Sequence, residues 1–307
     1  MADALDELAV VIRSGEAMLF TGAGFSSGAR DLDGNPLPDS AQMIRELWSL
    51  VFETDGPDDS SLPDLYDAAL LRAPERLGAY VACRLRIGDH PLPRHYEAWF
   101  SAPWRRIYTL NVDDLERAVA RQYALPRRLR SVSAIVPDEP EPDEPGEHEH
   151  EHEPEGREAL DVVHLNGLAG ATADELTFST MQYASRLCSR DREYERLVSD
   201  LERAPFVFAG TTLDEVVLWQ HVELRRRATG DPPPRRPSFL ISPALTRARQ
   251  VLLESLGIRW VRATIETVIE ALPDEIWRYS SPALALGYDG GAPAAAARGS
   301  AASRQVR

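Results

Sequence analysis

Ala17-Met18-Leu19-Phe20-Thr21-Gly22-Ala23-Gly24-Phe25-Ser26-Ser27-Gly28 is a short continuous apolar run that passes into a glycine-rich turn. A run of this length bounded by small residues predicts a buried strand, because both faces of such a strand must be apolar. Before it, Leu5, Leu8, Val11 and Ile12 recur at helical spacing over residues 3–14, and Ser14-Gly15 supplies the stop. Helix, buried strand and glycine turn together open a nucleotide-binding α/β unit. In the turn, Gly22 and Gly24 let backbone N–H groups approach a pyrophosphate, with Ala23 and Phe25 between and beyond them, and Ser26 and Ser27 add hydroxyl donors. The spacing is not G-x-G-x-x-G, and a glycine turn of this kind serves equally well as a purely structural one.

Downstream, the pattern alternates. Residues 106–111, 161–167, 206–210, 239–241 and 258–261 have strand character, and residues 113–121, 180–203, 213–227, 244–255 and 264–272 have helical character. This alternation predicts a Rossmann-like, doubly wound parallel sheet with helices on both faces, an α/β fold. Between the first two strands, about residues 39–100, several helical pieces broken by Asp55-Gly56-Pro57 and Pro63 form an inserted helical module. Residues 1–286 make one domain. Within it, residues 137–157 are a Pro/Glu/His tract with no apolar side chain other than proline, a composition expected to be disordered. The Ala/Gly/Ser/Arg-rich tail, 287–307, is expected to be disordered too.

Composition excludes several classes. The 307 residues are 43% hydrophobic, enough for a proper core, and the two cysteines, Cys83 and Cys188, are too few and too far apart for a disulfide framework or a zinc ribbon. With no membrane-length apolar run and an acidic N-terminus, a soluble cytoplasmic protein is expected, with no membrane partner. All 34 basic residues are arginine, so a Walker-type lysine and Schiff-base chemistry are excluded. The net charge is -15, of which ten carboxylates fall in 138–155, leaving the remainder only mildly acidic and without a broad nucleic-acid-binding face. His148, His150 and His152 alternate in the same tract; a flexible histidine run of this kind binds metals weakly without being a metal site, and none is assigned.

Three further stretches carry chemistry-bearing side chains. In Thr109-Leu110-Asn111-Val112-Asp113-Asp114, an amide and a carboxylate two residues apart can face ribose hydroxyls or a positive charge developing on a sugar; equally, Asp113 or Asp114 can cap the next helix. In His164-Leu165-Asn166-Gly167, the two-residue period of a strand puts His164 and Asn166 on one face, where both can look into one pocket, although a strand histidine is also a common structural hydrogen-bonding residue. Gly210-Thr211-Thr212-Leu213-Asp214 is another small-residue turn opening a helix, fit for phosphate, for ribose or for capping.

Taken in order, Gly22-Ala23-Gly24-x-Ser26, Asn111-x-Asp113, the strand ending at Gly167, Gly210-Thr211-Thr212-Leu213 and the strand ending at Ser242-Pro243 resemble the sirtuin-like NAD-binding family over about residues 8–275. Leu176-Thr177-Phe178-Ser179-Thr180-Met181-Gln182-Tyr183 and Asp214-Glu215-x-x-Leu218 look nearest the zinc-free bacterial branch that cleaves NAD in antiviral defence. The four-cysteine zinc module of the deacylases is missing, which argues against peptide deacylation. The family histidine that precedes the glycine is here Asn166, with His164 two positions earlier and about 6.5 Å along the strand. The resemblance implies an NAD glycohydrolase with NAD as substrate and no zinc. Its diphosphate would lie on the Gly22–Ser26 turn and its adenosine ribose near Thr211 and Thr212, with Gly210 and Ser242 also binding NAD. Asn111 would orient ribose and water, Asp113 would support the ribose or the developing cation, His164 would handle the proton, and Asn166 would stand at the catalytic position before the glycine. It also implies control by a homo-oligomer or a separate sensor protein. The alternative is a catalytically silent module that binds NAD or ADP-ribose; a zinc-free transferase or deacylase fits least.

Overall fold

The computed structural model describes residues 2–53, 56, 58–135, 158–188, 191–213, 218–220, 222–223 and 237–279. Helix α1 (Ala2–Arg13) leads into β1 (Met18–Thr21), and three helices follow: α2 (Ser40–Phe52), α3 (Leu62–Arg72) and α4 (Pro74–Arg84). Next come α5 (His95–Ser101), β2 (Arg106–Thr109), α6 (Leu115–Gln122), β3 (Arg128–Ser133) and β4 (Ala159–His164). The chain continues through α7 (Thr180–Cys188), α8 (Arg192–Arg203), β5 (Phe206–Ala209), β6 (Ser238–Ile241), α9 (Arg247–Ser255), β7 (Ile258–Val261) and α10 (Ile265–Ala271). The seven strands form one parallel sheet in the order β3-β4-β2-β1-β5-β6-β7. The fold is the expected α/β architecture. From β1 the chain goes first to β2 on one side and later to β5 on the other, so the strand order reverses beside β1, where open parallel sheets leave a crevice at their C-terminal edge.

The central strands β1 and β5 are almost wholly apolar because both of their faces are covered. Leu19 and Ile107 point to one core with Leu8 and Ile12 of α1, Trp99 of α5, Val119 of α6 and Val268 of α10. Met18, Phe20 and Tyr108 point to the other, with Phe206, Phe208, Tyr194, Leu197 and Leu253. The period of two along β1 therefore sorts adjacent residues into separate cores. Each large side chain fully buried here contributes roughly 1.5–3 kcal/mol.

A third cluster holds α2, α3 and α4 together through Leu47, Trp48, Leu65, Tyr66, Leu77 and Val81, and reaches Val112 and Leu176 beside the sheet edge. The first residues of α3 and α4 are set by Ser61, whose hydroxyl accepts from Asp64 N at 3.3 Å, and by prolines in the opening turns. Helix α5, inside the stretch read from sequence as the inserted module, instead packs Tyr96, Trp99 and Phe100 into the first sheet core.

Several boundaries differ from expectation. Residues 180–203 form two helices rather than one, because Asp191 caps α8 by accepting from Tyr194 N at 3.0 Å and pairs with Arg186 of α7. Strand β3 has no counterpart in the sequence reading: it is an edge strand with Arg128 and Arg130 exposed and Ser131 and Ser133 along it, and it lacks an apolar run. The helix expected over 213–227 lies partly outside the described residues, of which 218–220 and 222–223 are helical. The acidic tract 137–157 and the tail 287–307 lie outside them as well. No described helix is long and apolar enough to cross a membrane.

Candidate functional site

At the C-terminal edge of the sheet lies a cavity of about 650 Å³. Its walls come from the turns after β2, β1, β5, β6 and β7, from Asn166 after β4, and from the helical module through Met43, Leu62 and Leu85. Gly22, Ala23, Gly24, Ser26, Asn111, Asp113, Asn166, Gly210, Thr211, Thr212 and Ser242 all line it.

Phe25 and His164 are not among the lining residues. The Phe25 ring is buried against Tyr96, Trp99 and Phe100, with centroids 5.8, 5.8 and 6.3 Å away. It anchors the turn from behind. Tyr96 reinforces that anchor: its hydroxyl donates to Phe25 O at 2.8 Å and accepts from Gly28 N at 3.1 Å.

Of the two roles the sequence leaves open to them, Gly22 and Gly24 take the structural one. Gly22 N donates to Ala209 O (3.2 Å), Gly24 N to Gly210 O (2.9 Å) and Phe25 N to Gly22 O (2.8 Å), so these three amides are engaged within the protein rather than offered to a diphosphate. A Cβ on Gly22 would stand 2.8 Å from Thr211 Cβ, and one on Gly210, whose φ is +67°, would stand 2.1 Å from Phe25 N. What these positions require is backbone-to-backbone approach of the β1 and β5 turns. After β5, Leu213 N donates to the Thr211 hydroxyl at 2.9 Å, and Leu213 itself sits at φ 55°, an uncommon conformation for a branched side chain. Beyond β6, the Ser242 hydroxyl donates to Ala244 O at 2.6 Å and so shapes its own turn.

The turn after β2 is different in kind. Asn111 N donates to the Thr109 hydroxyl at 3.0 Å, which bends the chain as soon as the strand ends. The Asn111 side-chain amide donates to Gly22 O at 3.0 Å and to Ser26 Oγ at 2.8 Å, tying the β2 turn to the β1 turn and leaving its Oδ1 as an acceptor. Ser26 in turn donates to Asp113, whose Oδ1 also accepts from Leu115 N at 3.2 Å. Asp113 is only 9% exposed. Burial, with the Glu116 carboxylate adding to it, outweighs the Ser26 hydroxyl and the His164 charge and pushes its pKa up to about 6. Asp114, one residue on, accepts from Ile87 N at 2.8 Å and has a structural role.

The expectation that His164 and Asn166 look into one pocket is corrected. Strand β4 ends at His164, the chain turns at residues 165–166, and only Asn166 reaches the cavity. His164, 1% exposed, lies beneath the floor. Its Nδ1 is 2.9 Å from Asn111 O, and its Nε2 faces Glu116 Oε1 at 3.3 Å. Burial alone would lower the histidine pKa, but Glu116 and the Asn111 carbonyl outweigh it and raise the value. Burial likewise works against a charged Glu116, and His164 with Ser131 outweighs that and lowers its pKa. Asn166 donates to Leu110 O at 3.2 Å and toward the Tyr183 hydroxyl at 3.4 Å, while its Oδ1 is buried without a hydrogen-bond partner among the described residues. Helix α7, which carries Tyr183, is held against this turn by Arg186, which donates to Leu165 O and to Thr177 Oγ1.

Sequence reasoning assigned no site role to Glu116 beneath the floor, or to Phe178, Tyr183 and Glu266, which line the cavity. Glu116 looks like a surface residue of an amphipathic helix, and only its position three residues after Asp113 hints that it faces the sheet. Among the described residues, no group of His, Cys, Asp and Glu is placed to hold a metal ion; His148, His150 and His152 lie outside them. No protein-family model matches the chain, and no curated protein matches it.

Proposed function

We propose that the protein is an NAD glycohydrolase that replaces nicotinamide by water in the cavity at the sheet edge. The observation that carries this reading is Asp113: a carboxylate with a pKa pushed up to about 6, held by Ser26 and Leu115 N, in a cavity that is also lined by the apolar Met43, Leu62, Leu85, Val112 and Phe178. A buried base with that pKa is ionised at neutral pH yet basic enough to take a proton.

The shape of the cavity supports a long substrate. Its lining spans the ends of five adjacent strands, β2 through β7, and four strand gaps of about 4.8 Å amount to roughly 19 Å, more than a mononucleotide fills. In the reaction, the bond from the ribose C1′ to the pyridinium nitrogen breaks and its electron pair stays on nitrogen, so nicotinamide leaves neutral. Water bonds to C1′ and its proton passes to Asp113. The Asn111 Oδ1, whose amide hydrogens are already engaged, accepts from a ribose hydroxyl or from that water. Asp113 also stabilises the positive charge developing on the sugar. Control by a sensor protein or by oligomerisation in antiviral defence rests on the motif order alone.

A second reading, a module that binds NAD or ADP-ribose without cleaving it, is favoured by one observation: among the described residues no histidine lines the cavity, and the position before Gly167 holds an amide. Incubation of the purified protein with NAD, with nicotinamide and ADP-ribose followed by chromatography, separates the two. Release that Asp113→Asn lowers about 10²–10⁴-fold supports the hydrolase. Calorimetric binding of NAD with no release supports the silent module.

A further inference from the structure

The pair beneath the floor is unusual in its placement. Glu116, on α6, is 2% exposed and His164, on β4, is 1% exposed, so both charges are withdrawn from water. Because Asn111 O can only accept, His164 Nδ1 must carry a hydrogen. Its other nitrogen, Nε2, has no hydrogen-bond partner among the described residues but lies 3.3 Å from a Glu116 carboxylate oxygen, an ion pair when the ring carries its second proton. The Ser131 hydroxyl from β3 donates to the same Glu116 oxygen. Other charged groups close to the pair are Arg117, 3.8 Å from Glu116 Oε1 and half exposed, and Asp113 in the turn above.

An isolated buried ion pair is a poor source of stability, and well-packed apolar residues usually do as well. This one is directed at a single cavity residue. The group on His164 Nδ1 is the backbone carbonyl of Asn111, the residue whose side chain joins Gly22 O and Ser26 Oγ and thereby sets the hydroxyl that donates to Asp113.

We infer that Glu116 and His164 are positioning residues that hold the Asn111 turn from below, so that the Asn111 amide stays locked across the β1 and β2 turns. His164 touches no substrate. The inference rests on the proposed hydrolysis for what the locked amide does, but the positioning can be read without any turnover.

Two double variants test it. His164→Asn with Glu116→Gln keeps an N–H donor near the former Nδ1 and removes both charges; His164→Gln with Glu116→Gln moves the donor toward the former Nε2 and also removes both charges. Neither leaves an unpaired buried charge, and denaturant melts establish that each is folded. The side-chain amide resonances of Asn111 in ¹⁵N-labelled protein should keep their wild-type shifts in the first and move in the second. NAD turnover should stay near wild type in the first and fall about a hundredfold in the second, the cost of misplacing a reacting group by about 1 Å. Unmoved Asn111 resonances in the His164→Gln double variant would overturn the inference. So would loss of turnover in the His164→Asn double variant with Asn111 in place, since the imidazole itself would then be required. A wild-type protein that neither binds nor cleaves NAD defeats the proposed function, while the resonance comparison still decides the positioning.

Discussion

The two sides of the central strand hold the cavity in opposite ways. On the β5 side, the turns at Gly22–Phe25 and Gly210–Thr211 are backbone packed on backbone, with Gly22 N and Gly24 N engaged by the carbonyls of Ala209 and Gly210. On the β2 side, the turn at Asn111–Asp113 is built of polar side chains above a buried ion pair, and it keeps an acceptor on Asn111 and a basic carboxylate on Asp113 in reserve. Glycine at such an edge therefore signals close packing as readily as ligand contact, and chemical capacity resides where buried polar groups are left partly unsatisfied.

The largest expected effect breaks the packed side. Gly210→Ala forces a Cβ to within 2.1 Å of Phe25 N at a residue with φ +67°, and should cost about 4 kcal/mol or more, read as a collapse of the denaturant midpoint. A smaller loss comes from breaking the ion pair. Glu116→Ala leaves His164 without its carboxylate and should cost about 3 kcal/mol near neutral pH. Glu116 has a lowered pKa, so its contribution is lost as pH falls through that depressed value. His164 has a raised pKa, so its contribution is lost as pH rises through that raised value. The gap between wild type and variant should accordingly be widest between those limits and close outside them.

Asn111→Ala removes two hydrogen bonds across the turns and should cost about 2 kcal/mol in a urea melt. The smallest effect has the opposite sign. Asp113 titrates near 6 in the folded protein against an ordinary 3.8, so its ionised form opposes folding above pH 6 and ceases to do so as the pH falls toward 3.8. Asp113→Asn should therefore raise stability by about 1–2 kcal/mol at pH 8, with the gain vanishing below pH 4. A gain in stability that accompanies a loss of activity is the mark of a functional carboxylate.

The sheet was legible in the sequence because its central strands, such as Met18–Thr21 and Phe206–Ala209, are continuous apolar runs that end in small residues. Strand β3 was not, because an edge strand alternating arginine with leucine and serine carries no such run. In the candidate site, Asn111 and Asp113 were legible from their spacing at a strand end. The roles of Gly22, Gly24 and Phe25 were not, since whether an amide is free depends on the β5 turn nearly two hundred residues away. Strand periodicity points His164 into the pocket, and that periodicity stops applying where β4 ends. Glu116 could be recognised as buried only once β3 and β4 were laid beside α6.

The most direct measurement is nicotinamide release from NAD by the purified protein across pH 5 to 8, wild type beside Asp113→Asn. Release that rises with pH through about 6 and is lost in the variant is the predicted result. Release that the variant retains in full, or an absence of both cleavage and binding in the wild type, would contradict the assignment of Asp113 as the base of an NAD-cleaving site.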